Sequence, residues 1–119
     1  MNFNETALLA GLPGAELIAE GVADVVAGRE TIAGELVKVG SPRLRSCGID
    51  VPVTPEHALD ADRRMHRLLG AAHGRDAHSR YNALIRQLVS FEQALERRVR
   101  RARMTATSPG APGGNPPPP

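Results

Sequence analysis

Residues 76–104 read DAHSRYNALIRQLVSFEQALERRVRRARM, and their spacing predicts the longest element of the chain. Tyr81, Leu84, Leu88, Phe91 and Leu95 are separated by three, four, three and four residues. That pattern places them on one side of a helix as a heptad-like seam, with Val99 close to its continuation. Asp76 is positioned to cap it. From Ala77 to Arg103 such a helix extends roughly 40 Å at 1.5 Å per residue, more than a core of this size covers. The seam is therefore expected to project or to meet another chain.

Beyond Met104 the sequence turns to Thr, Ala, Ser, Gly and Pro and closes on four prolines. Nothing there offsets the entropy of ordering, so residues 105–119 are expected to form a disordered Pro/Gly-rich tail. Towards the amino terminus, Thr54-Pro55-Glu56 is a cap-then-proline start. The helix it opens is expected to run to about Leu69, with Leu59, Met65, Leu68 and Leu69 inward and Gly70 to Arg75 as a loop. Ile49 to Val53 alternates like a strand, but Pro52 and the lack of a second such run favour an extended connector with Ile49, Val51 and Val53 inward.

Ser41-Pro42 starts a short helix through Leu44 that Gly48 closes. A helix from Arg29 to Val39 carries Ile32, Leu36 and Val39 as its stripe and stops at Gly40. Before it, a helix from Gly14 or Ala15 to Gly28 carries Ile18, Val22, Val25 and Val26 on one face and Glu16, Glu20 and Asp24 on another, solvated one. Gly21 and Gly34 each cost about 1 kcal/mol against Ala inside a helix, which close helix approach would offset. The expectation is an all-α protein, a small bundle of four to five helices with a long C-terminal helix. Its helical domain covers 14–104, after an N-terminal extension at 1–13.

Composition narrows the function classes. With no Trp, one Tyr and two Phe in 119 residues, the core must be aliphatic and thin. The single Cys47 excludes an internal disulfide and any multi-cysteine metal site, and fits a reducing cytoplasm. Ala7 to Leu12 is too short, and too soon broken by Pro13 and Gly14, for a signal peptide. No run approaches the roughly 18 apolar residues of a membrane span, so a cytoplasmic location is expected.

The net charge of +2 hides an asymmetry. Residues 1–60 hold nine acids against four bases, while residues 61–119 hold eleven arginines against four acids. Either the two halves pack against each other within one fold, or two molecules dock acid to base.

Arg97, Arg98, Arg100, Arg101 and Arg103 are the most conspicuous chemical feature. A row of arginines on a helix suits sequence-independent contact with nucleic-acid phosphates. The bland alternatives are complementing the helix dipole, an i,i+4 pair of Glu96 with Arg100, and solubility. No aromatic residues are interleaved to stack on bases. His57, His66, His73 and His78 are spaced by nine, seven and five, which is not zinc-site spacing, although His66 and His73 share a face if a helix continues through Gly70. Neither a phosphate loop nor a nucleophile-base signature is present, so no catalytic residue, metal or cofactor is expected. The expected function is a non-enzymatic protein-interaction or regulatory module, meeting itself or another cytoplasmic protein through the seam Tyr81, Leu84, Leu88, Phe91 and Leu95. The alternative is nucleic-acid binding through the arginine-rich end.

Overall fold

The computed structural model describes residue 9 and residues 11–107, with side chains to residue 104. Helix α1 spans Ala15–Ala27, α2 Ile32–Val39, α3 Ser41–Ser46, α4 Pro55–Leu59, α5 Ala61–His73 and α6 Ala77–Thr107, with a 3-10 turn at Gly74–Asp76 before α6. The described residues form an all-α bundle with no strand and a long last helix. Among the described residues, the segment after Thr54 divides at Asp60 into α4, a helix of five residues, and α5, where a single helix to Leu69 is expected.

The bundle is two helical hairpins meeting on a short central helix. Helices α1 and α2 form the first, turned by Gly28, whose φ of 78° is a left-handed conformation that side chains resist. The expected start of α2 at Arg29 is three residues early. Thr31 is its cap, and the Thr31 hydroxyl accepts from the Gly34 amide at 3.0 Å. The same hydroxyl donates to Asp24 Oδ2 at 2.7 Å, while Arg29 Nε donates to Asp24 Oδ1 at 2.9 Å. Thr31 first and Arg29 second hold the Asp24 carboxyl below its ordinary pKa. Asp24 is therefore buried and clamps the turn instead of lying on a solvated face; Glu16 and Glu20 do stay exposed.

Close approach explains Gly21. A Cβ there would stand 2.3 Å from the Ala33 carbonyl oxygen and 2.8 Å from Val37 Cγ1, so only glycine lets α1 lie on α2 this closely. At Gly34 the nearest atom is the Thr31 hydroxyl of its own cap, and helix approach is the lesser constraint.

Helix α2 packs against α1, α5 and α6. Every residue from Ala33 to Lys38 is buried, two of them charged. The apolar contribution comes from Ala33, Leu36 and Val37, with Ile32 and Val39 only half-buried. On α1, Ile18 and Val22 enter the core while Val26 is 53% exposed.

Helix α2 passes almost directly into α3, with Gly40 rather than Ser41 at the junction. The connector behaves as its alternation predicts. Ile49 and Val51 are buried, Val53 is half-buried, and the Arg45 guanidinium donates to the carbonyls of Val51 and Val53. Thr54 caps α4 through the His57 amide.

The second hairpin is α5 and α6. The bend at Asp60 leaves Leu59 81% exposed and brings Ala61, Met65 and Leu69 inward at spacings of four. Alanine at 61 carries little hydrophobic signal, so apolar spacing alone points to Leu59. Gly70 does not end α5. Its site is exposed with nothing within 4 Å of a Cβ, and the helix runs to His73, where Gly74 at φ 56° ends it. Asp76 lies in the 3-10 turn.

At the amino terminus, Leu9 and Leu12 belong to the core, so the domain reaches back into the expected extension. At the other end α6 continues to Thr107, three residues into the expected tail; residues 108–119 lie outside the described residues.

Candidate functional site

The most concentrated chemistry is on α2. Glu35 is fully buried, and each of its carboxylate oxygens accepts a charged hydrogen bond. Arg64 Nε of α5 donates to Oε1 at 2.7 Å, and Lys38 Nζ, one turn along α2, donates to Oε2 at 3.0 Å. Lys38 Nζ also stands 3.0 Å from His57 Nε2 of α4. An ammonium has donors only, so His57 presents Nε2 as an acceptor and carries its proton on Nδ1. Arg64 Nη2 donates in turn to the His57 carbonyl at 2.6 Å. A buried carboxylate would be costly alone; two cations and full hydrogen bonding make it tolerable.

Lys38 and His57 form one side of an open cleft of about 480 Å³ between α1, the α1–α2 turn and the connector. Val25, Pro52 and Val53 supply apolar wall, and Arg29 and Glu30 stand at the turn. Glu30 is held by Arg67 at 3.3 Å and lies 3.7 Å from Arg64.

These pairs answer the question of charge asymmetry. Arg64 on Glu35 and Arg67 on Glu30 join the basic half of the chain to the acidic half within one molecule. Arg43 reverses the direction, reaching from the acidic half to Glu96 of α6. Its Nε donates to Oε2 at 3.0 Å and its Nη2 to Oε1 at 2.8 Å. The expected Glu96–Arg100 pair is thus displaced, because the planar fork of Arg43 meets both carboxylate oxygens at once.

The seam turns inward. Phe91 and Leu95 are fully buried, Leu88 is 4% exposed, and Tyr81 and Leu84 are half-buried against the same core. The five residues expected to contact a partner are occupied by the chain's own helices. Helices α2 and α5 pack against α6, so the seam is covered within the chain and the surplus length lies beyond it, at the far end of the helix. Tyr81 donates to Asp62 at 2.6 Å and stacks on His66 with ring centroids 4.1 Å apart. That hydrogen bond first, and burial second, raise its phenol pKa.

The helix outlasts the core at its far end. Arg97, Arg100, Arg101 and Arg103 are exposed and Arg98 is half-buried; Met104 is 63% exposed. At the root of this arm a groove of about 230 Å³ is bordered by Cys47, Val99, Arg100 and Arg103. Burial raises the Cys47 pKa, which keeps the thiol protonated and poorly nucleophilic. Helix α5 does continue through Gly70, as sharing a face by His66 and His73 required, but no group of three or more His, Cys, Asp or Glu among the described residues could hold a metal ion. No described helix is long and apolar enough to cross a membrane.

Glu92 is buried as well, like Asp24 and Glu35. It is 5% exposed, and its one ion-pair partner, Arg43, is 3.9 Å away. Burial chiefly raises its pKa, against the lowering influence of Arg43. A carboxyl whose folded pKa is raised is fully stabilising below its unfolded pKa and loses that contribution as pH rises through the folded one. Glu92→Gln should therefore raise Tm at about pH 7, and the gain should close as both proteins are melted at about pH 4. A Tm gain that persists unchanged in acid would show that charge burial is not its source.

Comparison with protein-family models, curated proteins and solved structures finds no match to this chain.

Proposed function

We propose that the chain is a non-enzymatic interaction module that meets an acidic surface of a partner protein through the basic end of α6, residues 97–104. What supports this reading is the arm itself. Between Arg97 and Met104 the sequence holds five arginines and no acid. Arginine and methionine are both enriched in protein interfaces, and here Met104 is exposed among the arginines. The compact helices supply a rigid base, so little entropy is lost when the arm docks.

The same run of positive charge supports a second reading, sequence-independent binding of nucleic-acid phosphates. The absence of interleaved aromatic residues makes it the lesser one.

One experiment separates them. The tagged full chain is purified from its own host with and without nuclease, beside a variant carrying Arg97→Glu and Arg100→Glu. Both sites are exposed, so the fold should be retained. A protein partner that survives nuclease and is lost with the variant supports the first reading. Loss on nuclease treatment, with binding that weakens steeply in salt, supports the second. Partners retained equally by the variant overturn both.

A further inference from the structure

We propose that the cleft beside Lys38 binds a small carboxylate carrying a short apolar tail. The Lys38 side chain is only 10% exposed, yet it borders the cleft. Its ammonium has three donors, and two are engaged, by Glu35 Oε2 and His57 Nε2. The third is left for an acceptor in the cleft. Of the charged residues that line the cleft, Arg29 and Lys38 are cations and Glu30 is the anion. The cations exceed the anions by one, which matches a monoanion.

The remainder of the cleft suits a hydrocarbon tail. Val25, Pro52 and Val53 line it, and the Arg45 hydrogen bonds to the connector carbonyls hold that wall in place. A volume of about 480 Å³ lies within the range of small-molecule sites, on the order of 300–1,000 Å³.

The test is an NMR titration of the full chain with sodium hexanoate, beside acetate, hexan-1-ol and hexylamine. Saturable shifts at Lys38, Val53 and His57 are expected with hexanoate, weaker ones with acetate, and none with the alcohol or amine. Val53→Glu leaves the Glu35 network intact and sets a negative charge in the cleft; it should weaken hexanoate by about tenfold or more. Lys38→Met should do the same if it folds, and Val53→Glu decides the matter if it does not. Equal shifts with hexylamine, non-saturable shifts with hexanoate, or wild-type affinity in Val53→Glu overturns the proposal.

Discussion

Glu35→Ala should cost about 3–5 kcal/mol of unfolding free energy, the range found when one member of a buried ion pair is removed. Lys38 and Arg64 would then be left buried or nearly so without their shared anion. Against a total stability of about 5–15 kcal/mol, that is enough to leave part of the population unfolded, and chemical denaturation with urea reads it directly. Replacing the three together, with Glu35→Leu, Lys38→Met and Arg64→Met, should recover most of the loss, since apolar groups of similar volume often match or exceed a buried ion cluster. A single variant within about 0.5 kcal/mol of wild type would mean that the carboxylate is not holding the three elements together.

Gly21→Ala should also be strongly destabilising, although helix propensity alone favours it by about 1 kcal/mol. The added methyl would lie 2.3 Å from a backbone oxygen of α2, and backbone cannot swing aside as a long side chain does. Overpacking of this kind costs typically about 1–3 kcal/mol and occasionally more; with the contact this short the upper end applies, for a net loss of about 2 kcal/mol. Gly70→Ala is the matched control. It lies inside α5 with open space around it, so the same substitution should stabilise by about 1 kcal/mol. Equal effects at the two sites would remove helix approach as the reason for Gly21.

The contrast shows where sequence reasoning reaches. Helix positions followed from period and punctuation: the α1 stop at Gly28, the Thr54 cap and the extent of α6 were legible because each depends on neighbours in sequence. The identity of the central helix was not. The spacing of Ile32, Leu36 and Val39 marks a single apolar stripe, and only tertiary packing shows that Glu35 and Lys38 also face protein. The cleft was equally hidden, since Lys38, His57 and Arg64 come from three helices and no local motif joins them. Charge counting did hint at pairing between the halves, yet it could not choose Arg64 over ten other arginines. The Glu96–Arg100 expectation failed for the same reason: an i,i+4 rule knows nothing of Arg43, fifty-three positions away.

The division into two hairpins also bears on kinetics. Each hairpin closes over a few residues, so its contacts carry little loop-closure entropy and belong to the fast class of folding events. Docking of α5 and α6 onto α2 spans more of the chain and is expected to complete later, with the Arg64–Glu35 contact absent from the transition state. Glu35→Ala should therefore accelerate unfolding and leave the refolding rate nearly unchanged. Gly21→Ala, which disturbs the first hairpin from within, should slow refolding. The two arms of a stopped-flow chevron would then assign each buried feature to its own stage of assembly.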